Sequence, residues 1–231
     1  MIPLLFHTAG AVLPGYELDT RIFPAVRGNV RLVSLFCRKA GDIGASPLIL
    51  DVRKNGDTLF SKAVNKPRVL AGGLNKTDVT PSQDMSAEKR FSMISTLSVH
   101  VESAPTGCED VSCVLWCELD APGLMPLIFR SDAPALGVLD AAIMLGHAAE
   151  LQQVVIYAES TGTTGDPLKI DIINPKTTAS LIGTPAEFGL SGVSEHIDLY
   201  PGMPMPAGTV IQPVITSCPA DAKGLSMVIW I

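Results

Sequence analysis

Two hexapeptides 120 positions apart constrain this chain more than any other feature: Pro47-Leu48-Ile49-Leu50-Asp51-Val52 and Pro167-Leu168-Lys169-Ile170-Asp171-Ile172. Each follows a glycine-bounded turn, Gly41-Asp42-Ile43-Gly44 and Gly162-Thr163-Thr164-Gly165. Each turn follows an apolar stretch, Leu35-Phe36-Cys37 and Val155-Ile156-Tyr157. The far ends match too, Ser112-Cys113-Val114-Leu115-Trp116 with Ser226-Met227-Val228-Ile229-Trp230, at a spacing of 114. Three matches in one order imply a tandem duplication. The drift from 120 to 114 is a net loss of six residues, which connecting loops tolerate. The units are expected at 18–117 and 132–231, with residues 1–17 as an N-terminal arm and 118–131 as a linker. Leu50 and Ile170 become equivalent core positions, and so do Trp116 and Trp230, the only tryptophans in the chain.

Within each unit the local signal is strand. Val30–Arg38 and Val154–Glu159 are apolar runs of strand length, and Leu97, Val99 and Val101 alternate with Ser98, His100 and Glu102. Leu48–Arg53, then Lys54-Asn55-Gly56-Asp57, then Thr58-Leu59-Phe60 predicts a hairpin with a type I′ turn. Twenty glycines, eighteen prolines and few aromatic residues suit a turn-rich protein. The expected fold is all-β: two tandem β-sandwich units, jelly-roll or immunoglobulin-like, related by internal duplication. Two segments carry a competing helical signal. Thr80-Pro81-Ser82-Gln83 offers a cap, a proline in the first turn and a glutamine three residues on, so a short helix to about Arg90 is expected. Asp140–Leu151 is alanine-rich, but Pro24 in the matching part of the first unit favours strand for both.

At 231 residues, 47% hydrophobic and only 17% charged, the chain can bury a substantial core, and its composition is not that of a disordered protein. The net charge of −6, with no basic stripe, argues against nucleic acid as a partner. The uncharged stretch 199–220 holds five prolines, which argues against a membrane-spanning helix. The N-terminus lacks the basic and apolar regions of a signal peptide, so a chain made without export is expected. Five irregularly spaced cysteines predict small buried hydrophobes rather than a zinc site, with a Cys108–Cys113 loop disulfide as the alternative after release into an oxidising medium. No nucleophile elbow, phosphate-binding loop or histidine pair is present, so neither a catalytic residue, a metal site nor a cofactor is expected. Asp51 and Asp171 are equivalent strand acids in different units, expected on an outer face or anchoring a turn.

One stretch resembles a known family. Gly44-Ala45-Ser46-Pro47-Leu48-Ile49-Leu50-Asp51-Val52-Arg53-Lys54-Asn55-Gly56-Asp57-Thr58-Leu59-Phe60, followed by Asn65-Lys66-Pro67-Arg68-Val69 and Ala71-Gly72-Gly73, is similar to a β-sandwich module of tailed-bacteriophage virion structural proteins of tail-fibre, collar and capsid-decoration type. The second unit keeps Gly165, Pro167-Leu168, Asp171 and Ala207-Gly208-Thr209-Val210, with Asn174-Pro175 where Asn55-Gly56 would stand. The resemblance implies a virion part, made in the host cytoplasm, and not an enzyme. With no heptads or fibrous shaft, it points to a capsid decoration (cement) protein stabilising the shell. The partners are then other copies of itself, a trimer by family analogy, and the major capsid protein. The alternative is a tail-fibre, head-fibre or tail-adaptor component that binds host-surface carbohydrate. Ile2, Leu4, Leu5 and Phe6 of the arm are the expected interface residues, or else the first edge strand of their own unit. Tyr200 is the candidate glycan contact.

Overall fold

The computed structural model describes residues 1–231 apart from 20, 122 and 191–193, and the side chains apart also from 82, 88 and 194–202. The protein is all-β and divides into two compact units, Met1–Gly123 and Leu124–Ile231. Among the described residues no helix is long and apolar enough to cross a membrane.

The first unit contains β1 (Ile2–Ala11), β2 (Gly28–Ala40), β3 (Leu48–Lys54), β4 (Asp57–Thr58), β5 (Arg68–Val69), β6 (Leu74–Pro81), β7 (Arg90–Phe91), β8 (Leu97–Ser103) and β9 (Cys108–Leu119). One sheet runs β1-β9-β2-β6, with β7 extending the β2 ladder. The other pairs β3 with β8, β4 and β5, and residues 17–22 bridge the free side of β8 through Glu17–His100 and Ile22–Leu97. All the ladders are antiparallel, so side chains alternate between the core and the outer face. Leu4, Phe6, Val33, Leu35, Val111, Cys113 and Leu115 from the first sheet are buried, as are Leu48, Leu50, Val52, Val99 and Val101 from the second.

The second unit contains β10 (Pro126–Ser131), β11 (Gly137–Val138), β12 (Ile143–Met144), β13 (Ala149–Ser160), β14 (Leu168–Asn174), β15 (Ala179–Ser180), β16 (Ala186–Phe188), β17 (Ser194–Met205), β18 (Val210–Ser217) and β19 (Lys223–Trp230). Its sheets are β10-β19-β13-β17 and a set in which β14 pairs with β15, β16 and β18 while β11 and β12 line the far side of β18. Counting residues 17–22 as the second strand, β4 with β5, β11 with β12 and β15 with β16 as single strands, and leaving out the short β7, the sheets read 1-8-3-6 and 2-7-4-5 in both units, which is the strand order of a jelly roll. The second unit's core joins Phe129, Val154, Ile156, Met227 and Ile229 from one sheet with Leu168, Ile170, Ile172, Ile211 and Ile215 from the other.

Several expectations change at this point. Of the two readings of the N-terminal residues, the structure has the edge strand: residues 2–11 form β1, which pairs with β9 from Ile2–Cys117 to Ala11–Glu109. Nor is 118–131 simply a linker, because β9 runs to Leu119 and β10 begins at Pro126. The helix expected after Thr80 is replaced by two single turns of 3-10 helix, at Ser82–Asp84 and Ala87–Lys89. Met85, between them, bridges Phe60 and is buried, and this pairing interrupts helical hydrogen bonding. The Thr80 hydroxyl turns back to Asp78 at 3.4 Å. The alanine-rich segment does form strand, β12 and the start of β13.

The hairpin after β3 has the predicted turn: Asn55 and Gly56 have φ of 54° and 90°, the left-handed pair a type I′ turn requires. In the second unit Asn174 and Ala179 close the same hairpin over four residues, with Thr178 taking the left-handed position. The glycines that follow β2 and β13 are there for space. A Cβ on Gly41 would stand 2.7 Å from the Pro105 ring, and on Gly162 2.3 Å from that of Pro219, so one glycine–proline contact recurs in both units.

Candidate interaction surface

The register of the β1-β9-β2-β6 sheet determines which side chains turn away from the core. Leu5 stands opposite Val114, Val114 opposite Ser34, and Ser34 opposite Val79. The row beside it is Pro3, Trp116, Leu32 and Pro81, and on the other side His7, Ser112, Phe36 and Thr77. The outer face therefore carries apolar side chains on all four strands, with His7, Ser112 and Thr77 making one row mostly polar. It remains open to solvent: Leu5 is 49% exposed, Phe36 39% and Val79 57%, while Val114, Trp116 and Leu32 are half-buried. The Trp116 indole donates to the Ser34 hydroxyl at 3.0 Å, which holds the ring across the sheet.

Charges frame this face and are matched within the unit. Arg31 meets Glu118 at 2.6 Å. At the other end Arg38 meets Glu109 at 2.8 Å and also Asp110, and Lys39 meets Glu109 at 3.1 Å. The Gly10 amide and Arg38 together hold the Asp110 carboxyl below its ordinary range, and Lys39, with Arg38 behind it, does the same for Glu109.

The second unit builds the same face at the same positions. Trp230 lies opposite Pro126 and Gln153, Val228 opposite Ile128 and Val155, and Ser226 opposite Arg130 and Tyr157. Ser112, Val114 and Trp116 thus correspond to Ser226, Val228 and Trp230, residue for residue. Phe36 corresponds to Tyr157 and Pro3 to Pro126. Here, however, the face is dry: Trp230 is fully buried, and Val155, Tyr157, Ser226 and Val228 are within a few per cent of it.

The sequence-derived site residues divide between the two sides of these sheets. Leu4 and Phe6 are buried in the core of their own unit, which corrects their assignment to an intermolecular contact. Ile2 is half-buried and Leu5 faces outward. Leu50 and Ile170 are core residues of their units. The tryptophans are equivalent, but neither points between the sheets, and only Trp230 is buried. The side chain of Tyr200 lies outside the described residues. The match of Leu35 with Val155 is one position out, since Leu35 lies opposite Cys113 and Ile156 opposite Met227, a spacing of 121.

One repeat escaped the sequence reading. Ile2-Pro3-Leu4-Leu5-Phe6 and Met125-Pro126-Leu127-Ile128-Phe129 occupy the same strand of the two units, 123 positions apart. That similarity is visible in the sequence, and it marks the first strand of each unit. Both prolines lie on edge strands, where a missing amide is tolerated.

The remaining polar clusters hold strands together. Asp51 is buried on the outer side of β3 and accepts from the Thr58 hydroxyl at 2.5 Å, with Arg53 at 3.0 Å and Lys66 at 3.4 Å. Asp171 accepts from the Ser180 hydroxyl at 2.7 Å, the same strand-to-strand tie without the cations. The cysteines are free thiols. Cys113 points into the core, and Cys108 lies 3.6 Å from Cys37, so the thiol nearest Cys108 comes from a strand 71 residues earlier. Burial pushes the Cys117 thiol up to about 12 and raises Cys113 as well. Among the described residues no three His, Cys, Asp or Glu side chains gather to hold a metal ion.

No protein-family model matches the chain, and no curated protein does. Among solved structures, it is similar over 99% of its length to 96% of the major capsid protein P2 of bacteriophage PM2, at 9% identity and a TM-score of 0.27. The STIV MCP matches over the same shares of the two chains, at 12% identity and a TM-score of 0.27. An isomalto-dextranase of Arthrobacter globiformis, complexed with panose, matches 88% of this chain with 35% of its own, at 11% identity and a TM-score of 0.26. At these values the fold rests on the strand order described above, and the family of the chain is left open.

Proposed function

We propose that this protein is a structural component of a virus particle, acting through protein–protein contacts rather than catalysis. The observation that carries the reading is the apolar outer face of the first unit's sheet, open to solvent on a chain of two jelly rolls. A contiguous apolar patch on a sheet's outer face is often functional, as a surface for another protein. The resemblance of residues 44–73 to a tailed-phage virion module supports the finer assignment: a capsid decoration protein, made in the host cytoplasm, that binds the major capsid protein and stabilises the shell. The matched charges around the face suit a partner that supplies shape and apolar area rather than opposite charge.

The test is binding of the purified full-length chain to empty phage heads, read by co-sedimentation. Saturable binding that raises the heads' thermal stability is the expected result. Heads that neither retain the chain nor gain stability would overturn the decoration assignment.

A further inference from the structure

We infer that Cys37 and Cys108 are a site of covalent modification in the first unit, two halves of a disulfide that closes when the protein meets an oxidising medium. Cys37 lies on β2 and Cys108 opens β9, neighbouring strands of one sheet. In the ladder Cys37 stands opposite Val111, and Cys108 opposite Ala40. On a regular strand, residues three apart face opposite sides. Asp110, with a left-handed φ of 52°, breaks that alternation, and Cys108 and Val111 both turn inward. Cys37 and Ala40 are likewise both buried. The two sulfur atoms meet at 3.6 Å and share a hydrogen bond. A disulfide bond is about 2.05 Å long, so about 1.6 Å remains to be closed.

The second unit shows the two positions changing together. Ala158 holds the place of Cys37, opposite Leu225 as Cys37 is opposite Val111. Ala222 holds the place of Cys108. Its amide donates to the Pro219 carbonyl at 3.2 Å, as the Cys108 amide donates to that of Pro105 at 3.1 Å. Both alanines are buried. A small core residue therefore serves at either position, and packing alone does not call for sulfur. One unit carries sulfur at both positions and the other at neither.

Closing the bond needs a two-electron acceptor, which a small disulfide such as oxidised glutathione supplies. One cysteine of the pair, as thiolate, attacks a sulfur of the small disulfide. A small thiolate leaves and a mixed disulfide remains. The other cysteine, having lost its proton, attacks the protein sulfur of that mixed disulfide and expels the second small thiolate. The pair gives up two protons and two electrons, and the small disulfide becomes two thiols. Both sulfurs are buried, so the reagent enters by local opening of the turn at 105–107, which leads directly into Cys108. The bond joins residues 71 positions apart and encloses β3 to β8 in a covalent loop. A reducing cytosol keeps such a pair open and an oxidising exterior closes it.

The test uses the purified full-length chain, kept reduced and then incubated overnight without denaturant in excess oxidised glutathione. Thiols are counted afterwards in denaturant, and an unreduced digest is mapped by mass spectrometry. The count is expected to fall from five to three, with one cross-linked pair of peptides joining Cys37 to Cys108. The first unit's thermal midpoint should rise by roughly 5–10 °C and return with dithiothreitol. Cys37→Ala and Cys108→Ala each introduce the residue of the second unit, and should show neither the cross-link nor the response to oxidant. Cys113→Ala should keep both. A wild type that retains five thiols, carries only glutathione adducts or links Cys108 to Cys113 would overturn the inference. So would a cross-link that forms only in urea. The virion role is read from binding to heads and the cross-link from the chain alone, so either can fail without the other.

Discussion

The outer faces of the two matched sheets carry the same serine, valine and tryptophan, yet one triad is fully buried and the other only half-buried. Core positions behave differently. Cys113 and Leu115 correspond to Met227 and Ile229, so residue identity has changed while burial has not. The contrast is confined to that strand: on β1 and β10 the inward Phe6 recurs as Phe129, while the outward Leu5 is replaced by Ile128. It also locates where the units differ in environment, and the first two of the following measurements each probe one pair of matched positions.

The tryptophans should give the widest separation. Trp230→Ala removes a fully buried ring and is expected to destabilise the second unit by about 3–5 kcal/mol. Trp116→Ala loses a half-buried ring and one hydrogen bond to Ser34, and should cost about 1–2 kcal/mol in the dissociated chain. Urea denaturation at low protein concentration reads both. Equal losses would mean that the two faces are equally covered.

The acids come next. Asp51→Ala leaves Lys66 and Arg53 beside an empty buried site and should cost about 3 kcal/mol. Asp171→Ala gives up hydrogen bonds only and should cost about 1 kcal/mol. If the Asp51 variant is no weaker than the Asp171 variant in denaturant, the ion cluster contributes nothing.

The glycines separate crowding from backbone strain. Gly162→Ala places a methyl group against Pro219 at a left-handed φ and should cost about 2–4 kcal/mol. Gly56→Ala meets open space at a similar φ and should cost about 1 kcal/mol. Thermal denaturation of the two variants ranks them directly.

The smallest effect is expected from pH. Glu109 and Asp110 titrate below their ordinary range in the folded chain, so their contribution is complete above the unfolded carboxylate range, about pH 4, and fades as the pH falls through the lower folded values. Arg38→Ala should flatten the acid limb of the stability curve slightly and lower stability at neutral pH by the same small amount, because the pairs are exposed. An unchanged acid limb would show that Arg38 does not hold these carboxylates down.

Much of the fold is legible in the residues. Asn55-Gly56 specifies its turn locally, because few residues adopt left-handed backbone easily. Leu50 and Ile170 announce their burial through strand alternation. The short helix after Thr80 misled because its capping signal is also local, while the bridge that replaced it links Met85 to Phe60, 25 residues earlier. The proximity of Cys37 and Cys108 had no local signal at all. The first strands were legible and overlooked: a proline between apolar residues reads as an arm or a linker until its repeat is noticed.

By itself the sequence determined the strand content, the turn types, the matched positions of the two units and the inward side of most strands, because alternation and backbone preference act over a few residues. Which outer face is covered was decided only by the tertiary structure. Ser-x-Val-x-Trp has the same propensity and pattern in both copies, and burial depends on what the rest of the chain brings against it.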